Sequence, residues 1–128
     1  MSFASYSIDL DLPRDLVRIR MSGFFNLEDI SRFQAELKAA HGRLGYRDKP
    51  LTIIDISGMA IQTQEVTARW GAFLANPAHR SRRLAFVVAP TLARVQLKRA
   101  LRDRDARVFN NIAEAEEWLF ADEVREAA

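Results

Sequence analysis

Leu51-Thr52-Ile53-Ile54-Asp55-Ile56-Ser57-Gly58, followed by Gln62-Thr63-Gln64-Glu65-Val66, decides the fold. A run of large apolar residues without polar alternation reads as a strand covered on both faces, which puts residues 51–55 in the middle of a sheet. Asp55 ends the run, and Ser57-Gly58 reads as a bend. Val66, Trp70, Phe73 and Leu74 then recur at helical spacing. Buried strand, polar turn and helix in succession form the repeating unit of an α/β sheet. Ligands and partners of such sheets dock at the rim beyond the carboxyl ends of the strands. The passage says where a site lies and leaves its chemistry open.

On the amino-terminal side, Tyr6, Ile8, Leu10 and Leu12 alternate with Ser7, Asp9 and Asp11. Val17, Ile19 and Met21 alternate with Arg18 and Arg20, and Pro13-Arg14-Asp15 lies between the two runs. This predicts a β-hairpin with one buried face, ended by Gly23. Asn26 is an N-cap type with Asp29 three residues on, near the positive end of a helix dipole. Leu27, Ile30, Phe33, Leu37 and Leu44 trace the apolar stripe of that helix. Gly42 and Gly45 close it, before a polar loop that reaches Pro50.

On the carboxyl-terminal side, Pro77 stops the helix that carries Trp70. Leu84-Ala85-Phe86-Val87-Val88 is a second buried strand, expected parallel and adjacent to the first. Pro90-Thr91 opens a helix with Leu92, Val95, Leu97 and Leu101 on its apolar side. Arg107-Val108-Phe109 is a short last strand. Asn111 with Glu114 has the form of an N-cap and its capping-box partner. Ile112, Ala115, Trp118 and Leu119 give the last helix its stripe. The order ββαβαβαβα predicts an α/β fold, a mixed sheet of about five strands with one antiparallel edge and helices covering it. Residues 1–128 are expected to form a single domain.

This order, with the Asp55-Ile56-Ser57-Gly58 turn after the middle strand, resembles the STAS domain of anti-sigma-factor antagonists. More closely it is similar to the SpoIIAA-like (STAS/SEC14-type) group. The resemblance spans roughly residues 16–120. It is carried by that turn, by Leu84-Ala85-Phe86-Val87-Val88, and by Ala106-Arg107-Val108-Phe109-Asn110 before Ala113-Glu114-Ala115-Glu116-Glu117-Trp118-Leu119. It implies a STAS-like fold and a regulatory or protein-interaction role rather than an enzymatic one. One departure stands out. The antagonists open the helix after this strand with a phosphorylatable serine in an Asp-Ser-Ser-Gly motif, where this chain has Thr63-Gln64-Glu65-Val66. Thr63 is the nearest remaining hydroxyl.

Composition narrows the field. The chain has 128 residues, 48% hydrophobic and 28% charged, within the normal range for a globular domain. No apolar run approaches the ~20 residues that span a bilayer. No basic region followed by an apolar core opens the sequence, so a cytoplasmic protein without membrane insertion is expected. With no cysteine, disulfides, thiolate metal sites and cysteine nucleophiles are excluded. The net charge of +2 is unevenly spread: residues 80–107 hold nine bases against Asp103 and Asp105, and residues 108–128 hold six acids against Arg125. The basic block is expected to be a solvated face that pairs with the acidic last helix. Arg94, Lys98 and Arg102 line one helix face. No aromatic base-readers are interleaved with them, so nucleic acid is disfavoured as a partner.

Candidate site residues cluster at the rim. Asp55 and Ser57 either face a ligand or simply stabilise the turn, Asp55 accepting backbone N–H bonds. Gln62, Thr63 and Gln64 either read a partner or small ligand, or serve an N-cap in which Thr63 is the capping residue. Helix amino termini at Thr91 and Asn26, with Arg94 one turn into its helix, would suit an anion. Two adjacent rings at Phe24-Phe25 cannot both point inward from extended chain, so one is free to line a pocket or a dimer surface. His41 and His79 show no metal spacing. A Ser57–His79–Asp55 triad lacks the strained Gly-x-Ser-x-Gly elbow. No cofactor or metal is implied. The expected occupants of the rim are a protein partner or second copy of the chain, with a small apolar or anionic ligand as the alternative.

Overall fold

The computed structural model describes residues 3–44, 50–59, 62–75, 83–88 and 106–127. Five strands form one sheet in the order of the sequence: β1 (Ser5–Asp11), β2 (Leu16–Gly23), β3 (Leu51–Met59), β4 (Arg83–Val87) and β5 (Ala106–Phe109). β1 runs antiparallel to β2, and the remaining neighbours are parallel. The two apolar runs are thus adjacent parallel strands at the middle of the sheet. The helix expected after Pro90, the stop at Pro77, the glycine end at Gly45 and the stripe Arg94, Lys98 and Arg102 lie outside the described residues.

Alternation along each strand divides the core in two. Val17, Ile19, Met21, Ile54, Leu84 and Phe86 face α1 (Leu27–Arg43) and α2 (Gln64–Ala75), which bring Ile30, Phe33, Leu37, Val66 and Phe73. Leu16, Leu51, Ile53, Ala85 and Val87 face the opposite side, where α3 (Ile112–Ala127) brings Ala115 and Leu119. Covering β3 on both faces is what its unbroken apolar run requires.

α1 and α3 begin on the N-caps their sequences foretell. The Asn26 side chain accepts from the Asp29 N–H at 2.7 Å, and the Asp29 carboxylate accepts from the Asn26 N–H at 2.9 Å. The Asn111 side chain accepts from the Glu114 N–H at 2.9 Å. Three expectations are corrected. Leu12 is 60% exposed, because residues 12–14 form a 3-10 turn that leaves the two-residue period of β1. Asp15 closes this turn in the left-handed region (φ 54°), which Asp tolerates better than most residues. Ile112 is 43% exposed at the first position of α3, before the helix settles on the sheet. α1 runs through Gly42, beside which an added Cβ would meet open space, so that glycine does not end the helix.

Candidate functional site

The bend expected at Ser57-Gly58 is instead a continuation of β3. β4 stops pairing at Asp55↔Val87, but β2 still offers Ser22 to Gly58 and Gly23 to Met59. The register shifts between Arg20↔Asp55 and Ser22↔Gly58, leaving Ile56 and Ser57 opposite the single Met21. This is a β-bulge, the device that lets a strand keep its neighbour while turning its side chains. Asp55 Oδ1 stabilises it, accepting from the Ser57 N–H at 3.0 Å and the Ser57 hydroxyl at 2.6 Å. The local Asp-to-serine bonding read from the sequence is therefore present, within a strand rather than a turn. Gly58 fits closely here: a Cβ would stand 3.1 Å from Ser22 Cβ, so β2 would have to give by a few tenths of an ångström.

Gln62 joins two loops. Its amide oxygen accepts from the Phe25 N–H at 2.8 Å, and its amide nitrogen donates to the Gly23 carbonyl at 3.1 Å. The side chain thus replaces a strand for the backbone leaving β2, where Gly23 adopts φ 84°. Thr63 Oγ1 accepts from the Val66 N–H at 3.2 Å, the N-cap bond that its position predicts. Gln64 and Glu65, exposed, form the first turn of α2.

Phe24 and Phe25 divide as two adjacent rings must. Phe25 is fully buried and meets Trp70 edge-on at 6.4 Å, within a cluster that includes Phe33 and Phe73. Phe24 is half-buried and forms a β-bridge with Phe3, itself 91% exposed. Thr91, Arg94 and His79 lie outside the described residues. Asp55 with Ser57, and Gln62 with Phe25, therefore form two pairs that share the end of β2 as their support. The direct Ser57–Asp55 bond also occupies the place an intervening histidine would take in a triad.

Other contacts carry no signal in the sequence pattern. Of the basic block, Arg83 and Arg107 place their guanidinium carbons 5.1 and 5.4 Å from the Trp118 ring centroid. Arg83 also donates to the Trp118 carbonyl at 2.8 Å. These two bases meet the last helix at an indole and a carbonyl, and the other seven of the block lie outside the described residues. The carboxylate Glu116 pairs with Arg18 of β2 instead. Tyr6, beneath α1, has its phenol pKa pushed up to about 12, first by burial and then by a hydrogen bond to the Glu36 carboxylate. Trp70 Nε1 is buried with no acceptor among the described residues. Helical spacing marks Trp70 as core but cannot say which edge of the ring lacks a partner. The described residues contain no group of three or more metal-ligating side chains, and none of their helices is long and apolar enough to cross a membrane.

A crystal structure of an uncharacterised DUF3478-family protein with a SpoIIAA-like fold, from Shewanella loihica, is similar to this chain with a TM-score of 0.72. The two are 16% identical over 93% of this chain and 98% of that one, a likeness of fold. No curated protein matches the sequence. The family model described as SpoIIAA-like matches residues 16–120, from the first residue of β2 into α3, and the chain belongs to the SpoIIAA-like family.

Proposed function

We propose that this chain is a non-enzymatic regulatory module of STAS-like type that docks a protein partner on the rim. The docking surface is formed by Ser57 and Gly58 of β3, by the capping residue Thr63, and by Gln64 and Glu65 of α2. One observation carries the reading: these residues are exposed on two regular elements, both fastened to the end of β2. The polar groups that acid–base chemistry would need at this rim already hold the backbone. Asp55 bonds Ser57, Gln62 bonds Gly23 and Phe25, and Thr63 caps α2. A rigid, preorganised polar surface suits recognition, because little conformational freedom is lost on binding.

The test is a photo-crosslinking residue placed at Gln64 in the producing cells, with the exposed Glu114 of α3 as the control position. A discrete protein adduct at position 64 and none at 114 is the expected result. Equal labelling at both positions, or none at either, contradicts it.

A second reading rests on Trp70. A buried indole N–H among aromatic rings, with no acceptor among the described residues, suits a small apolar ligand that carries one acceptor atom, since an unmet buried donor is costly. Under this reading the protein isolated from its source carries a small extra mass, and Trp70→Phe releases it.

A further inference from the structure

β1 is the end strand of the sheet, and among the described residues no strand pairs with its outer edge. Free strand edges are usually blunted by charged side chains, lysine above all, by proline, by a bulge or by short length. β1 has seven residues, Ser-Tyr-Ser-Ile-Asp-Leu-Asp, with no proline, lysine or bulge; its only charges are Asp9 and Asp11, and its register with β2 is unbroken. Three large apolar side chains among the described residues are exposed, and two of them bracket this strand: Phe3 at 91% and Leu12 at 60%.

We infer that two copies of this chain pair antiparallel along the outer edge of β1, in a register centred on Ile8, so that one sheet runs through the dimer. In this register Tyr6 faces Leu10 of the second copy and Ile8 faces Ile8, keeping the apolar face continuous. Ser7 faces Asp9 and Ser5 faces Asp11, so each acid meets a hydroxyl. Leu12, in the turn just past the strand, and Phe3, just before its start, come to the same end of the paired strands, so the two exposed apolar residues lie near one another across the dimer. The nearest alternatives that keep the faces matched are worse. Centring on Asp9 sets that carboxylate against its own copy, and centring on Ser7 sets Phe3 against Asp11. Like charges directly opposite one another destabilise a strand pair, and a one-residue slip turns the apolar face outward. The dimer leaves the rim at Ser57 and Gln64 free, so this inference is independent of the rim reading.

Charge substitution separates the dimer from the fold. Ser7 lies opposite Arg20 within its own chain. Ser7→Asp is therefore matched inside the monomer, yet meets Asp9 twice across the two-fold axis. Sedimentation of the full chain at low ionic strength should show a concentration-dependent monomer–dimer equilibrium. Ser7→Asp should weaken the dimer by about tenfold without lowering the melting temperature, and added salt should shrink that difference. The double variant Ser7→Asp/Asp9→Ser should restore pairing, since each acid again faces a hydroxyl. Leu12→Ser, at an exposed position, should also weaken the dimer, and Gln64→Arg should leave it unchanged. A chain that stays monomeric at every concentration overturns the inference. So does a dimer whose constant ignores Ser7→Asp.

Discussion

Gln62 is the residue on which the rim depends. Its two hydrogen bonds reach 37 and 39 residues back along the sequence, to Phe25 and Gly23. Gln62→Ala leaves a part-buried N–H and a carbonyl without that partner and should cost about 1–3 kcal/mol, read as a lower urea midpoint. An unchanged midpoint would mean that the loop holds itself. Nothing in the local sequence marks this role, because both partners are backbone groups of a distant loop. The Asp55–Ser57 bond, by contrast, was legible, since it spans two residues and rests on the preference of aspartate for nearby N–H groups.

Tyr6 supplies a pH dependence. Its folded pKa lies at about 12, above the ordinary 10.0, so folding favours the neutral phenol. That stabilisation is whole below pH about 10 and is lost as pH rises toward about 12. Unfolding measured across this window should show stability falling in the parent and falling less in Tyr6→Phe. Parallel pH profiles for the two would contradict the assignment. Thr63 makes a further case. Its hydroxyl caps α2, and the resemblance to the antagonists sets Gln64 and Glu65 at the place of their phosphoserine. Treatment with an anti-sigma partner kinase of that family should leave it unmodified. Phosphate mapped to Thr63 by mass spectrometry would revive the antagonist mechanism.

At the level of elements, α3 is the sole helix described on its face of the sheet. It is seated by Ala115 and Leu119, by the Arg18–Glu116 pair, and by Trp118 between Arg83 and Arg107. The apolar seat dominates: Leu119 is 1% exposed, and Leu119→Ala should cost about 2–5 kcal/mol in denaturant unfolding. A loss under about 1 kcal/mol, the scale of a surface ion pair, would show that charge and not burial seats the helix. Periodicity gave the existence of each described strand and α-helix, and the buried face of the hairpin and of the helices. It failed at element ends: Leu12 and Ile112 keep the apolar pattern after the backbone has left, or before it has joined, the element that would bury them. The bulge at Ser57 escaped for a related reason, because serine-glycine suits a turn and a bulge alike, and only the partner strand decides which forms.

For the whole molecule, adjacency of β3 and β4 follows from two unbroken apolar runs joined by a helix-length connection. The antiparallel β1 follows from a short hairpin link. Topology was therefore readable, while the division of labour at the rim was not. Of the rim residues, some hold the backbone and others face solvent, and only the three-dimensional arrangement separates them. The central claim is that the exposed group, Ser57, Gly58, Thr63, Gln64 and Glu65, binds a protein. A native mass spectrum of the chain isolated gently from its source tests this most directly. The account predicts a complex of this chain with a different polypeptide, lost when Ser57 and Gln64 are both changed to arginine while the fold survives. A spectrum holding only the chain, its homodimer or a small-molecule adduct, unchanged by those substitutions, would contradict it.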